Sequence, residues 1–300
     1  MVEAQTCLDQ ALLEAKHRTS DPARTLAKSG YIVEEIIGQG AYALVKKAYW
    51  SKVDTTVAIK IISKATAAAS FLQKCVPREL EVTRKLKHKN IILFHEIIET
   101  NMRIYIIMQY AEKGSLLHLI RRSRKLSEPR VRRYYRELLE GIRYIHSCGY
   151  AHRDIKLENI VLDANDQVKL IDFGFACRLH EGNDCDSIAE PHLSETFCGS
   201  HAYASPEILQ FQPYDPIPAD IWASGVVIYS LLFGQLPFTN NRNVRIIQQI
   251  IAQGVQFPSD VAVTNEVKAL LKQIFVPVAQ RLTAVQISKA AWFYIQLPEE

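Results

Sequence analysis

The hydrophobic pattern of the chain changes character near residue 115. Before that point, short apolar runs rich in Ile and Val predict strands over residues 31–37, 46–50, 57–62, 91–99 and 103–108. One helix, residues 77–87, interrupts them, because Pro77 suits a first helical turn and Leu80 with Leu86 gives an inward apolar stripe. This part of the chain is therefore predicted to be mostly strand.

From residue 116 onward the spacing of apolar positions is mainly helical. It predicts helices over residues 116–122, 128–147, 219–233, 244–254, 265–275 and 283–291. The 219–233 helix is almost wholly apolar and should be buried. A hairpin over 160–162 and 168–171 breaks this pattern, and 175–205 is a long polar segment of the kind that is usually functional in a compact domain.

The polar run at residues 110–115 contains a Gly and suits a hinge. We therefore predict an α+β protein with a strand lobe over 31–108, a hinge over 109–114 and a helical lobe over 115–297. Residues 1–30 are polar and carry only a weak apolar stripe. We expect them to form a flexible or loosely docked extension, with a regulatory or targeting arm as the alternative.

Composition narrows the class of protein. The chain has 300 residues, 48% of them hydrophobic, which is enough for one large domain or two lobes. A net charge of +4 gives no reason to expect nucleic acid as a partner. The six Cys form no CxxC pair, the N-terminus does not look like a signal peptide, and we find no window of the ~18 apolar residues that a membrane span needs. These features predict a cytoplasmic protein without a membrane partner.

Candidate chemistry is concentrated in residues 152–159 and in Asp172-Phe173-Gly174. Phosphoryl transfer needs positioned charges, a metal and a base. Asp154 can orient a hydroxyl and accept its proton, and Lys156 can neutralise the γ-phosphate. Asn159 and Asp172 offer the oxygen ligands that Mg²⁺ takes. We therefore predict magnesium-dependent phosphoryl transfer.

A second group of residues suits nucleotide phosphates. Gly38 and Gly40 lie in a turn between strands and let backbone N–H groups approach a phosphate, although an ordinary hairpin turn would explain them equally well. Lys60 lies inside an apolar run, where it needs an anion unless it reaches water from an edge strand. Its predicted partner is Glu79, and Glu81 on a neighbouring helix face is the competing candidate.

Taken together, these motifs resemble those of eukaryotic Ser/Thr protein kinases. Within them the chain is similar to the calcium/calmodulin-kinase-like group and, more closely, to the testis-specific serine/threonine kinases. The supporting segments are residues 38–45, 57–60, 77–81, 152–159, 172–176, 195–200 and 202–207. The resemblance implies the bilobal kinase fold, ATP and Mg²⁺ as cofactors, protein Ser and Thr hydroxyls as acceptors, and a role in spermatid differentiation.

The resemblance also implies a role for individual residues. The implied ATP-binding residues are Ile37, Gly38, Gln39, Gly40, Ala41, Tyr42, Ala43, Leu44, Val45, Ala58, Lys60, Glu79, Met108, Gln109 and Ala111. Thr196 is implied to be the activation-loop phosphosite, modified by an upstream kinase or by autophosphorylation in trans, and Arg153 would pair with its phosphate. Glu158 and Ser200 would bind the substrate, and the Ser200 hydroxyl would also touch Asp154 and Lys156. Glu207 with Arg281 would anchor the loop as an ion pair, and Asp220 would fix the 152–154 backbone.

Two features bear on partners. Ser115 stands where many relatives that prefer basic substrates carry a Glu, which weakens the expectation of such a preference, although Glu158 remains available. A run of cations suits a solvated helix face, with a docking patch for an acidic partner as the alternative. Its members are Arg121, Arg122, Arg124, Lys125, Arg130, Arg132, Arg133 and Arg136. We expect a monomer.

The main alternative to an active enzyme is a pseudokinase-like nucleotide-binding scaffold. Such proteins typically lose one of three residues that correspond here to Lys60, Asp154 and Asp172. All three are present in this chain. We therefore expect an active kinase.

Overall fold

A computed structural model of the chain describes residues 22–40, 42–179, 193–194, 199–211, 213–238 and 252–297. Its contacts divide the chain into two compact units. The first comprises the residues up to Gln73 together with Leu93–Tyr110, and the second comprises Lys74–Ile92 together with the residues from Ala111 onward. The predicted hinge at 109–114 contains one boundary between these units.

The first unit is built on one antiparallel sheet. Its strands are β1 (Tyr31–Gln39), β2 (Ala43–Trp50), β3 (Thr55–Ser63), β4 (Phe94–Glu99) and β5 (Arg103–Gln109). Their order is β1-β2-β3-β5-β4. Because side chains alternate along a strand, Val57, Ile59 and Ile61 of β3 enter one apolar core with Tyr105 and Ile107 of β5. The five-stranded antiparallel sheet confirms the predicted strand-rich part.

Residues 22–30, the described part of the predicted flexible or loosely docked extension, are docked on the first unit. Helix α1 (Pro22–Lys28) precedes β1, and Leu26 is fully buried beside Tyr31 in the core of the first unit. One buried Leu is enough to dock so short a helix on the sheet, but it leaves little periodic signal in the sequence. The rest of the predicted extension lies outside the described residues.

The second unit is mainly helical. Its helices are α2 (Val76–Lys85), α3 (Leu116–Ser123), α4 (Glu128–Ser147), α5 (Pro206–Leu209), α6 (Pro216–Phe233), α7 (Asn265–Ile274) and α8 (Ala284–Ser288). A π-helical turn, Phe71–Cys75, leads into α2, and 3₁₀ turns occur at Leu157–Asn159, His201–Tyr203, Val278–Gln280 and Ala291–Phe293. This unit confirms the predicted helical part, and with the first unit it confirms the α+β class.

Two segments predicted for the strand lobe belong to the second unit. Val82 and Leu86 bring α2 into the large core of the second unit, although α2 was predicted within 31–108. Ile91 forms a bridge with Leu170 there, so β4 begins only at Phe94 instead of residue 91. Both assignments to the second unit depend on contacts between residues far apart in the sequence. The local hydrophobic pattern carries no information about such contacts.

Two small sheets frame the segment 152–172. Strands β6 (Gly114–Ser115), β8 (Ile160–Leu162) and β9 (Val168–Leu170) form one, and β7 (Tyr150–Ala151) pairs with β10 (Cys177–Arg178) in the other. The predicted hairpin thus corresponds to β8 and β9. The predicted helix at 244–254 lies largely outside the described residues, as does most of the segment 175–205.

Helix α6 is the apolar centre of the second unit. It has 18 residues with a mean hydropathy of 1.4, so by length and composition it could cross a membrane, contrary to the expectation that no window would reach this level. However, 89% of that window is buried inside the protein. Its apolar surface is therefore explained by the predicted burial among the surrounding helices.

Candidate active site

A buried carboxylate of α6 binds the backbone at the start of segment 152–159. Asp220 is 2% exposed and accepts hydrogen bonds from the backbone N–H groups of His152 (2.9 Å) and Arg153 (2.8 Å). The Nε2 atom of His146 lies 2.9 Å from the same carboxylate. Two successive N–H groups on one carboxylate fix the backbone at the start of the segment. Asp220 thus occupies the position that the resemblance implied.

The surroundings of Asp220 lower its pKa. Burial by itself raises the pKa of this carboxyl group. The hydrogen bond and charge of His146, with the charge and backbone N–H of His152, outweigh burial and hold the pKa of Asp220 below its ordinary value. The carboxylate is therefore ionised when it binds the backbone.

Asp154 is oriented by three donors. Its Oδ2 atom lies 2.6 Å from Lys156 Nζ and 2.9 Å from Asn159 Nδ2, and its Oδ1 atom accepts from the backbone N–H of Ser200 at 3.2 Å. The Asp154 side chain is only 2% exposed. Both oxygens are held in defined directions, as a positioned base requires. Ser200 makes this contact through its backbone; no hydrogen bond from its hydroxyl to Asp154 or Lys156 occurs within the described part of the chain.

Asn159 has a divided role. Its Nδ2 atom donates to the backbone oxygen of Asp154 at 2.9 Å as well as to its carboxylate. The donor end of the amide is thus committed to Asp154. Its oxygen has no hydrogen bond to any described residue and is the end that suits a hard cation.

Strand pairing brings Asn159 toward Asp172. Asn159 ends a 3₁₀ turn just before β8, and its carbonyl accepts from Ile171 N at 2.9 Å. Asp172 follows directly, with a φ of 65° that turns the chain out of the strand. The described residues contain no group of three His, Cys, Asp or Glu side chains able to share a metal. An amide oxygen and one carboxylate suit Mg²⁺, which completes its shell with water and phosphate oxygens.

Phe173 and Gly174 complete the Asp-Phe-Gly turn. Phe173 is fully buried, and its ring meets His152 edge-on at 5.0 Å between centroids. A Cβ atom on Gly174 would lie 3.4 Å from Asp172 Oδ1 and 3.8 Å from Glu79 Oε2. The carboxylates of Asp172 and Glu79 therefore both border this glycine.

Glu79 and Glu81 of α2 have different surroundings. Glu79 is 3% exposed, whereas the Glu81 side chain is 35% exposed and bound to other groups of the second unit. Glu81 Oε1 accepts from Arg178 Nε (2.9 Å), Tyr150 OH (2.9 Å) and Lys85 Nζ (3.2 Å). Glu81 is thus already satisfied, which disfavours it as the partner of Lys60. Sequence reasoning missed this cluster, because nothing local links α2 to β7 and β10.

In the first unit, the residues implied to bind ATP lie on neighbouring strands. The β1–β2 hairpin pairs Gly38 with Val45 and Gln39 with Leu44, and Gly40 N donates to Ala43 O at 2.8 Å. Ile37 lies on β1, and exposed Tyr42 packs on Phe71 with 4.9 Å between ring centroids. Ala41 lies outside the described residues.

Lys60 lies on β3, the strand that pairs with β2 of the hairpin. β3 pairs Lys60 with Val45 on one side and with Ile106 on the other, and it pairs Ala58 with Met108 and Val57 with Gln109. Ala58 and Lys60 are two residues apart and so point to the same face of the sheet. Ala111 and Glu79 belong to the second unit.

Arg153 reaches two segments that follow Asp172. It adopts a φ of 63°, its Nε donates to Phe175 O at 2.7 Å, and its Nη1 lies 2.5 Å from Ser194 Oγ. Ser194 is 6% exposed and pairs through its backbone with Tyr214. Thr196 lies outside the described residues. Sequence reasoning missed Ser194.

A bidentate ion pair lies under the end of the long polar segment. Arg281 Nη1 is 2.5 Å from Glu207 Oε1, and Nη2 is 3.1 Å from Oε2. The guanidinium also donates to Pro218 O (2.9 Å) and Val276 O (3.1 Å) and lies over the ring of Trp222. This pair is the one that the resemblance implied. Glu158 is exposed on the 3₁₀ turn beside the site.

Comparison with known proteins agrees with these motifs. Residues 31–293 match the protein kinase domain family. The chain is 37% identical to testis-specific serine/threonine-protein kinase 4 of Homo sapiens over 96% of this chain and 90% of the relative. It is 39% identical to testis-specific serine/threonine-protein kinase 3 of Mus musculus over 89% of this chain and 96% of the relative. It is also 36% identical to CBL-interacting protein kinase 30 of Oryza sativa subsp. japonica over 88% of this chain and 54% of the relative.

Proposed function

The chain belongs to the protein kinase family, and from this membership we propose that it transfers the γ-phosphoryl group of Mg-ATP to Ser and Thr hydroxyls of proteins. The observation that carries the proposal is the orientation of Asp154 by Lys156, Asn159 and the Ser200 backbone. A phosphoryl-transfer enzyme works mainly by positioning and by electrostatics, and this cluster supplies both.

The proposed roles follow from the contacts. Asp154 orients the acceptor hydroxyl and takes its proton, because its carboxylate is fixed in direction. Lys156 stands at the same carboxylate, 2.6 Å away, and stabilises the negative charge on the transferred group. Asp220 acts through the backbone of His152 and Arg153 and is a positioning residue.

Magnesium would be held by the amide oxygen of Asn159 and the carboxylate of Asp172. A bound Mg²⁺ would supply positive charge that offsets the charge of the phosphates. In the first unit, we propose that Gly38 and Gly40 contact the phosphates of ATP through backbone N–H groups and that Lys60 pairs with them. The adenine ring of ATP would contact Met108, Gln109 and Ala58.

We further propose that phosphorylation of Thr196 activates the enzyme. Arg153 supports this proposal, because its guanidinium contacts Ser194, two residues before Thr196, and its backbone is bound to Asp220 beside the proposed base. Phosphate adds about −1.5 to −2 charge at neutral pH and binds Arg strongly. The phosphate would come from an upstream kinase or from a second copy of the chain in trans.

The names of two relatives describe them as testis-specific. By this similarity we propose a role in spermatid differentiation, carried out by a monomer in the cytoplasm. This part of the proposal is tested by localising the protein in developing germ cells and by its mass in solution.

Phosphate transfer from Mg-ATP to a generic protein substrate tests the activity. We expect Asp154→Asn to lower kcat by ~10²- to 10⁴-fold, the contribution typical of a positioned base. The control is Asp54→Asn, which makes the same change in an exposed turn with a φ of 49° that Asn accepts. If folded wild type and Asp154→Asn transfer equally little phosphate while still binding ATP, the chain is a nucleotide-binding scaffold instead.

The switch has its own test. Mass spectrometry should detect phosphate on Thr196 in active preparations, and phosphatase treatment should lower the activity of the wild type. Thr196→Ala should be equally inactive before and after this treatment. Full activity of Thr196→Ala would contradict the switch while leaving the proposed reaction intact.

A further inference from the structure

An open groove lies in the second unit, next to the segment that carries the proposed base. Its volume is about 870 Å³, which falls within the range of ligand sites in proteins. Leu117 and Ile120 of α3, Phe233 of α6 and Leu157 form apolar parts of its wall. Since Leu157 follows Asp154 by three residues in the chain, one end of the groove lies next to the catalytic segment.

The α3 side of the groove is cationic. Arg121, Arg124 and Lys125 line it, all three are exposed, and none has an ion pair with a described residue. Helix α3 contains no acidic residue, and its first turn is capped by Ser115, whose Oγ accepts from His118 N. The cations of this rim are thus not neutralised within α3.

The backbone that carries these cations is rigidly placed. Arg124 has a φ of 63°, which is uncommon for a residue with a side chain, and its N–H donates to Ile120 O at 2.7 Å. Gly234 ends α6 with a φ of 69°, and a Cβ atom there would collide with the carbonyl oxygen of Arg124. Leu126 N then donates to Leu231 O at 2.9 Å. The fold thus holds a strained Arg at the rim of a groove, which is an arrangement typical of binding sites.

Among the described residues that line the groove, acidic side chains are fewer than basic ones. Glu158 and Asp260 are exposed at its margin, against three cations. Glu158 is next to Leu157, close to the catalytic segment in the chain, whereas the cations lie at the end of α3. The groove is therefore mixed in charge near the proposed base and cationic along α3.

We propose that this groove binds a protein substrate through an acidic stretch near the target Ser or Thr. The proposal rests on the proposed kinase function and adds the class of substrate. Asp and Glu side chains would bind Arg121, Arg124 and Lys125, since guanidinium groups pair with carboxylates through two parallel hydrogen bonds. Apolar side chains of the same stretch would lie on Leu117 and Phe233.

The experiment uses peptides with one Ser and a short flank of Asp, Lys or Ala, placed before or after it. In at least one placement, kcat/KM for the Asp peptide should exceed that for the Lys peptide by about tenfold, or ~1.4 kcal/mol. The double variant Arg121→Glu/Lys125→Glu should remove or invert this ratio. Arg122→Glu, an exposed change on the same helix outside the groove, should behave as wild type.

Preference of the wild type for Lys flanks, or equal use of both peptides, overturns the proposal. The proposal is also overturned if the double variant shows the same ratio of kcat/KM for the Asp and Lys peptides as Arg122→Glu. If no peptide is phosphorylated, the proposed function fails, and fluorescence anisotropy of the same labelled peptides with wild type then decides the question. Tighter binding of the Asp peptide that the double variant weakens supports the groove, and equal binding of Asp and Lys peptides contradicts it.

Discussion

Glu81 of α2 is bound to Arg178 of β10, with 2.9 Å between Oε1 and Nε. The same oxygen accepts from Tyr150 OH on β7. Glu79, which borders the Asp-Phe-Gly turn, is two residues away on α2. The helix that carries the buried carboxylate of Glu79 is therefore tied through Glu81, in the same turn, to the strands that flank the catalytic segment.

This relationship predicts the effect of Glu81→Gln. The variant keeps the size of the side chain but loses the charge, so α2 should be held less firmly. An ion pair this exposed contributes ~0.2–1 kcal/mol, so we expect a small decrease in thermal stability. In kinetics we expect a rise in KM for ATP larger than the fall in kcat. The control is Glu99→Gln, which breaks an exposed ion pair of 2.6 Å with Lys64 in the first unit.

The pH dependence of this pair has a definite sign. Burial raises the pKa of Glu81, but hydrogen bonds from Arg178, Tyr150 and Lys85 outweigh it and lower the pKa to about 2. A lowered pKa gives stability that is present above the ordinary Glu pKa and is lost as pH falls toward about 2. The difference in unfolding between wild type and Glu81→Gln should thus be constant from neutral pH to about 5 and shrink in stronger acid. If this difference in stability instead grows as the pH falls, the proposed stabilising role of the Glu81 carboxylate is wrong.

Asp220→Asn tests the support beneath the catalytic segment. An amide oxygen replaces a buried anion that accepts from His152 N, Arg153 N and His146. Breaking such a buried arrangement costs ~3–5 kcal/mol, so thermal unfolding should shift clearly downward and kcat should fall. Because the pKa of Asp220 is lowered, its contribution is present above the ordinary Asp pKa and fades below it, so the gap between the proteins should narrow in acid.

Asp215→Asn is the matched control for Asp220→Asn. It makes the same chemical change at the start of α6, where Asp215 Oδ1 accepts from Ile217 N at 2.9 Å. Asn and Asp cap helices almost equally well, so stability and kcat should be nearly unchanged. Equal effects at the two positions would show that the role of Asp220 is not specific.

The sequence was informative wherever a local pattern determines the structure. Ile- and Val-rich runs predicted the strands of the first unit, and the apolar run at 219–233 predicted the buried helix α6. The candidate chemistry in 152–159 was visible because so many polar side chains in eight residues rarely serve structure alone. The roles of Asp220 and of the Glu207–Arg281 pair came only from the resemblance, since no spacing rule connects them to their partners.

The remaining features depend on contacts between distant parts of the chain. Glu81 and Arg178 are 97 positions apart, and either could equally be a solvated surface charge when seen in sequence. The docking of Leu26 depends on one side chain in a seven-residue helix. The amide orientation of Asn159 is set by Asp154 and has no signal in the residue type. Such contacts form only in the folded chain and leave no pattern in the sequence.

Arg281→Lys tests the ion pair beneath the long polar segment. Lys cannot form two parallel hydrogen bonds with Glu207 and also reach the carbonyls of Pro218 and Val276. The Arg281 side chain has 0% exposure, so we expect a loss of ~3 kcal/mol or more in the free energy of unfolding. Arg143→Lys, exposed on α4, is the control and should be neutral. Denaturant unfolding measures both, and equal stability of the two variants would refute the importance of the pair.

Gly199→Ala tests the close approach beside the proposed base. Gly199 has a φ of 94°, and a Cβ atom would lie 2.7 Å from Arg153 O and 3.4 Å from Asp154 Oδ1. The backbone must then shift, which displaces the N–H of Ser200 from Asp154. Gly149→Ala is the matched control, because its φ is 78° but no atom lies within 4 Å of the added Cβ.

Both glycine variants share the cost of a left-handed Ala, ~1–2 kcal/mol, so both should unfold at a lower temperature than wild type. Only Gly199→Ala should also lose kcat, by about tenfold or more if the orientation of Asp154 contributes to catalysis as a well-placed base does. Steady-state kinetics on folded protein below the unfolding transition separates the two effects. Equal kcat in the two variants would mean that the contact between residues 199 and 153 does not influence Asp154.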